Sequence, residues 1–222
     1  MTKGKKAART ARVKKMNTIL WKLYPEVKIE LDFTNPWELM VAVQLSAQCT
    51  DKRVNEVTAK LFKKYPTLDD YIAAKPAHFE QDIRPCGYFR NKTKNILAAA
   101  KMIYSKYDGR IPDTMEELLE LPGVARKTAN VILSNLYGKS EGIAVDTHVR
   151  RFAIRFDLSD FKDPVRIERD LIEIMPQSEW WSFNHRLVHY GRYVCPARPH
   201  ECAKHPLTKV FPEATKRWPQ SK

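Results

Sequence analysis

Leu121-Pro-Gly-Val-Ala-Arg-Lys-Thr-Ala-Asn130 joins two stretches of helical periodicity, 115–121 and 126–137. Pro122 and Gly123 stop the first helix, and the glycine lets the backbone turn with positive φ and approach a neighbour closely. The N–H groups that open the second helix have no partner within it, so the turn presents donors suited to an anion such as a phosphate. Turn chemistry alone equally allows a hairpin that serves only packing. At roughly 100° per residue, Ala129, Ile132, Leu133 and Leu136 centre about 190° away from Lys127, which turns that lysine toward solvent or a cleft.

Working outward, the pattern stays helical. Ile96, Leu97, Ala100, Ile103, Tyr104 and Tyr107 build one apolar stripe on a helix over 91–107. Further helices are expected at 36–47, 51–65, 68–75, 147–156, 164–175 and 182–193. Thr67 with Asp70, and Thr114 with Glu117, place a side-chain acceptor before a helix and an acid in its first turn. Asp163 and Pro164 supply a cap and a first-turn proline. Residues 27–33 alternate weakly, but one strand has nothing to pair with, so they read as a connector. The polar break Gly138 to Gly142 is a boundary between helical subdomains. The fold class is all-α.

Composition narrows the partner. The 222 residues carry 39 Lys and Arg against 26 Asp and Glu, a net charge of +13, which points to a polyanion: nucleic acid first, an acidic membrane surface second. Lys3, Lys5, Lys6, Arg9, Arg12, Lys14 and Lys15 precede the first acid, Glu26. They read as a basic N-terminal arm, residues 1–18, either merely solvated or attracted to phosphates. No apolar run is long enough to span a bilayer, and no apolar stretch follows the basic start as a signal peptide requires. Four cysteines in a chain of this length argue for a reducing compartment, so the expected location is intracellular. Cys49 and Cys86 read as buried thiols.

Val145-Asp-Thr-His-Val149, whose Asp146 lies nineteen residues beyond Lys127, starts another helix. Asp146 has an ordinary explanation as its N-cap. An amine and a carboxylate beside a phosphate-binding hairpin also suit chemistry on a sugar: the amine attacks an electrophilic carbon, and the carboxylate stabilises the oxocarbenium charge that develops as a base departs.

These residues reach a family. LPGVARKTAN with VDTHV downstream resembles the helix-hairpin-helix and catalytic aspartate of the endonuclease III family of DNA glycosylases. The run Glu38-Leu-Met-Val-Ala-Val-Gln-Leu-Ser-Ala-Gln-Cys-Thr-Asp51 resembles that family's early helix and the turn after it. Gly87-Tyr-Phe-Arg-Asn-Lys92 resembles its DNA-probing loop, and His185-Arg-Leu-Val-His-Tyr-Gly-Arg192 its final helix. The resemblance runs from about Ile19 to Cys202 in the family order.

It implies two helical subdomains with a DNA-binding cleft between them. One is a six-helix, barrel-like domain over 29–140 containing the helix-hairpin-helix at about 115–137; the other combines 19–28 with 141–222. The implied activity is a bifunctional DNA glycosylase and abasic-site lyase that flips an oxidised pyrimidine out of duplex DNA in base excision repair. By motif position Lys127 is the nucleophile that forms a Schiff base, permitting β-elimination, and Asp146 assists base departure. Gln48 falls where the family fills the space left by the flipped nucleotide. Tyr88 or Phe89 is the wedge, and Lys92, Gly123, Ala125 and Arg126 complete the DNA-binding set. The partner is duplex DNA with a damaged or abasic nucleotide, the protein is a monomer by default, and a bacterial cell would place it in the cytoplasm at the nucleoid. Two alternatives stay open: a non-catalytic helix-hairpin-helix DNA-binding protein, and a glycosylase for a mismatched or alkylated base.

One departure concerns the end of the chain. The family often carries C-x6-C-x2-C-x5-C around a [4Fe-4S] cluster. Here Cys195 and Cys202 keep the first spacing, but His205 and Phe211 occupy the other two positions. The expectation is therefore no cofactor, an absent cluster and no metal, with the degenerate loop 195–211 held by packing of Tyr193, Val210, Phe211 and Trp218. A zinc ion on Cys195, Cys202 and His205, with His200 as fourth ligand, is the rival reading. His185 and His189 lack the adjacent glutamate of zinc-protease helices and are assigned no metal.

Overall fold

The structure, a computed structural model, describes residues 1–217; Trp218, expected to pack on the terminal loop, lies outside them. Among the described residues there are eleven α-helices and no strand. Residues 24–35 form neither, in keeping with a connector. The chain divides into two compact units: Ile29–Lys139, and Met1–Lys28 with the chain from Ser140 onward.

The first unit holds α2 (Pro36–Ser46), α3 (Asp51–Lys64), α4 (Leu68–Ala73), α5 (Pro76–Ile83), α6 (Phe89–Tyr107), α7 (Met115–Glu120) and α8 (Arg126–Tyr137). Helix α2 is buried continuously from Leu39 to Leu45, as expected of a helix that is apolar all round. Leu39, Val41 and Leu45 pack with α3, α5 and α6, while Met40 joins Ile103, Leu118, Ile132 and Leu133. Asn35, Thr50 and Thr67 cap α2, α3 and α4, and Thr67 with Asp70 forms a full capping box. Helix α5 has little sequence signal because it buries only Phe79 and Ile83, one turn of pattern behind a proline.

The second unit holds α1 (Lys3–Leu23), α9 (Thr147–Arg155), α10 (Pro164–Ile174) and α11 (Trp180–Tyr193), then two short 3-10 turns at Leu207–Lys209 and Pro212–Thr215. Its core gathers Met16, Leu20, Phe152, Leu171, Phe183 and Tyr190. The N-terminal segment corrects the reading of 1–18 as an arm, because it is the body of α1. Arg9, Val13, Met16 and Leu20 recur at helical spacing and are buried. Arg9 is 1% exposed and binds Asp160 at 2.8 Å, Asp157 Oδ1 at 3.4 Å and the Asp157 carbonyl at 3.0 Å. Arg12 donates to the Phe156 and Asp157 carbonyls, and Lys5 pairs with Asp160. Lys5, Arg9 and Arg12, which looked available for phosphates, thus pair with this unit's own carboxylates, which lets a basic segment dock, while Lys3, Lys14 and Lys15 stay on its exposed side.

Candidate active site and nucleic-acid interface

The hairpin is built as its sequence requires. Gly123 has φ of +78°, and a Cβ there would stand 2.8 Å from Asn95 Cβ and 2.9 Å from Gln44 Oε1, so only glycine fits without displacing α2 and α6 side chains. Gln44 Nε2 donates to the Pro122 carbonyl at 3.3 Å, and the Val124 N–H to the Leu121 carbonyl at 3.1 Å, which fixes the turn. The N-cap of α8 is Ala125, whose side chain has no acceptor and makes no cap bond to the helix start. Arg126 and Lys127 form the exposed first turn, opposite the buried Ala129, Ile132 and Leu133.

Two further loops of the same unit carry the other candidates. Gln48, with φ of +55°, follows α2 and is exposed. Tyr88, with φ of +48°, precedes α6 and is 65% exposed, whereas Phe89 is half-buried and takes Arg84 and Arg90 guanidinium groups near its ring. Of the two candidate wedges, the exposed ring is therefore Tyr88. Left-handed backbone at two non-glycine residues is costly and is a mark of functional loops.

Lys92 corrects the sequence reading. It is 6% exposed, and its Nζ donates to the Leu45 carbonyl at 2.8 Å and the Cys86 carbonyl at 2.9 Å. Burial lowers its pKa, opposed by Cys86 and Cys49. This ammonium faces inward and cannot meet a phosphate. It joins the end of α2, which launches Gln48, to the turn that launches Tyr88.

Asp146 lies in the other unit, at the N-cap of α9, with Oδ1 accepting from the Val149 N–H at 2.8 Å. The backbone entering it is held by Asn184, which donates to the Ala144 carbonyl at 2.7 Å. His185 is held neutral near Asp146, its pKa lowered to about 4 by burial and His189 against the opposing pull of Asp146. Two residues that sequence reasoning passed over, Arg151 and Gly191, set α9 against α11. Arg151 donates to the Gly191 and Cys195 carbonyls at 3.2 and 2.8 Å, and a Cβ on Gly191 would lie 2.5 Å from His148 Nδ1. The glycine is visible in the run Val188-His189-Tyr190-Gly191, but nothing along the chain announces that a second helix approaches it so closely.

The terminal loop overturns the expectation of no cofactor and no metal. Cys195, His200 and His205 bring their ligand atoms within 4.8 Å of one another, with Cys202 buried nearby. Counting cysteines misses this because two of the gathered donors are imidazoles. A metal centre here would use mixed thiolate and imidazole groups, a donor set that suits zinc and is also known at iron.

A glycine-turned pair of helices with an open second N-terminus defines a helix-hairpin-helix protein of the kind that holds a phosphate backbone. The family described as HhH-GPD superfamily base excision DNA repair protein matches residues 41–177. The chain belongs to the endonuclease III family within that superfamily. It is 45% identical over 210 residues to the endonuclease III of Synechocystis sp., covering 95% of this chain and 96% of that one. A solved non-covalent endonuclease III–DNA complex is 42% identical and superimposes with a TM-score of 0.88, covering 93% of this chain and 97% of that one. A trapped endonuclease III–DNA covalent intermediate, with an estranged adenine, is 42% identical with a TM-score of 0.87 and the same coverage.

Proposed function

We propose that the protein is a bifunctional DNA glycosylase and abasic-site lyase that removes oxidised pyrimidines from duplex DNA. The observation that carries the reading is the hairpin: Gly123 fits where no side chain does, and Lys127 stands exposed on the first turn beyond it. A relative trapped as a covalent DNA intermediate supports an amine that bonds to the sugar. The backbone N–H groups at the start of α8 bind a phosphate, and Gln48 and Tyr88 enter the duplex where the damaged nucleotide has left it.

In this reading Lys127 Nζ, as the neutral amine, attacks C1′ while the bond from C1′ to the base breaks and the electron pair leaves with the base. Asp146 stabilises the positive charge that develops on the sugar. Loss of the amine proton and opening of the ring give the Schiff base. Removal of a C2′ proton then expels the 3′ phosphate, and water releases the lysine. The substrate places the enzyme with the genomic DNA, which in a bacterial cell is in the cytoplasm. No helix among the described residues is long and apolar enough to cross a membrane.

Borohydride reduction with an abasic duplex tests this. A covalent adduct is expected with the wild type and none with Lys127→Ala, while Asp146→Asn loses base excision far more than DNA binding. A wild type that binds DNA and forms no adduct is a binding protein, and the proposal fails. Duplexes bearing single lesions test the base: preference for a mismatched or alkylated base over oxidised pyrimidines refutes the assigned substrate.

A further inference from the structure

We propose that Cys49 and Cys86 are a redox pair that a hydroperoxide joins as a disulfide, tying together the two loops that carry Gln48 and Tyr88. Both thiols are free in this structure, with Cys49 half-buried and Cys86 2% exposed. Their segments meet at one atom: Lys92 Nζ donates to the Leu45 carbonyl, at the end of α2, and to the carbonyl of Cys86 itself. The Cys49 N–H turns back to the Ser46 carbonyl at 3.0 Å, which keeps Cys49 beside that helix end. Its side chain packs on the apolar cluster that contains Cys86. The two thiols are hydrogen-bond neighbours, and both lie near the Lys92 ammonium.

Exposure divides the chemistry between them. Burial first, then Cys49, pushes the Cys86 thiol up to about 12 against the opposing charges of Lys92 and Arg53, so Cys86 stays protonated and Cys49 is the thiol that a small oxidant meets. Cys49 Sγ, as the thiolate, attacks one oxygen of hydrogen peroxide. The O–O bond breaks, the other oxygen leaves as hydroxide and takes up a proton, and Cys49 becomes a sulfenic acid. Cys86 Sγ then attacks the Cys49 sulfur, the S–O bond breaks, and hydroxide leaves with the Cys86 proton as water. Two thiols lose two electrons and two protons, and one peroxide becomes two waters.

Closure draws the sulfurs from contact to a bond of about 2 Å and redraws both turns. Gln48 adjoins Cys49, and Tyr88 stands two residues past Cys86; their φ values of +55° and +48° are costly and persist only while the surrounding turns impose them. Oxidation therefore moves both side chains out of the arrangement of the reduced protein. The effect on binding rests on the proposed entry of Gln48 and Tyr88 into the duplex; the disulfide itself does not. Because the two equilibria are linked, a duplex that prefers the reduced arrangement opposes the disulfide by the same factor.

The test treats full-length protein with hydrogen peroxide, removes the oxidant, alkylates free thiols and digests without reduction. A peptide linking Cys49 to Cys86 is expected by mass spectrometry, and dithiothreitol should separate it. Affinity of the oxidised wild type for an abasic-site duplex should fall about fivefold or more and return on reduction, while Cys49→Ser keeps one affinity before and after peroxide. In dithiol–disulfide buffers, saturating duplex should lower the equilibrium constant for the disulfide by that same factor. Absence of the linked peptide overturns the pair. A disulfide that leaves affinity unchanged, or a loss of affinity that Cys49→Ser shares, overturns its coupling to DNA. Reduced protein that binds abasic and undamaged duplexes alike refutes the roles given to Gln48 and Tyr88, while the linked peptide still establishes the pair.

Discussion

Lys92→Met separates an inward-facing lysine from a DNA-facing one. The substitution keeps an unbranched side chain in the space but removes two charged hydrogen bonds, to the Leu45 and Cys86 carbonyls. Hydrogen bonds to charged groups contribute about 1.5 to 3 kcal/mol each, and a buried carbonyl left without a partner costs about 1 to 3 kcal/mol. Burial of the ammonium has its own cost, seen in the lowered pKa, so part of the gross gain is already offset. A net loss of about 2 to 4 kcal/mol is expected, read as a lower urea midpoint with an unchanged slope. Because both bonds end on segments that launch Gln48 and Tyr88, affinity for an abasic-site duplex should fall more than affinity for undamaged duplex. A phosphate-contacting lysine behaves differently: its loss would leave stability intact, weaken both duplexes alike and reduce the salt slope by about one. That second pattern would refute the assignment.

Two further perturbations test how the fold presents its surfaces. Gly123→Ala forces alanine to a φ of +78° and sets its Cβ against Asn95, so a loss of about 2 to 3 kcal/mol is expected together with weaker binding to undamaged duplex; wild-type stability in a melt would contradict the close approach. Acid should undock α1: burial raises the Asp157 pKa, but hydrogen bonding from Arg12 and the charge of Arg9 outweigh it and hold the carboxyl below its ordinary value, while Lys5 and Arg9 do the same for Asp160. Groups lowered on folding contribute stability above their unfolded pKa of about 4 and lose it as pH falls through the folded values, so Arg9→Met should flatten the acid limb of a pH–stability profile, and an unaltered limb would refute the ion-pair account.

How much of this is legible in the sequence depends on whether a residue's meaning is local. The start of α8 is legible because periodicity and a glycine turn are properties of neighbours along the chain, and the Thr67 and Thr114 caps are legible for the same reason. The docking of α1 is half-legible: Val13, Met16 and Leu20 lie at helical spacing, but the carboxylates that make Arg9 a core residue are about 150 positions away, at Asp157 and Asp160. Lys92 misleads because a lysine in a DNA-probing motif defaults to the surface, and nothing nearby announces the two carbonyls that draw it inward.

The terminal loop is the strongest case. Matching it to a four-cysteine spacing tests one ligand set and finds it broken at His205 and Phe211. A metal, however, selects donor atoms and their geometry rather than a spacing, and chain folding lets His200, which that pattern ignores, come beside Cys195. The residue that joins the two sulfurs, Arg155, lies forty positions before Cys195 on α9. Its full burial is matched by those sulfurs and the Ala214 carbonyl, and this ties the loop to the helix whose N-cap is Asp146. Loosening the loop should therefore disturb α9 before it disturbs the hairpin, which belongs to the other unit.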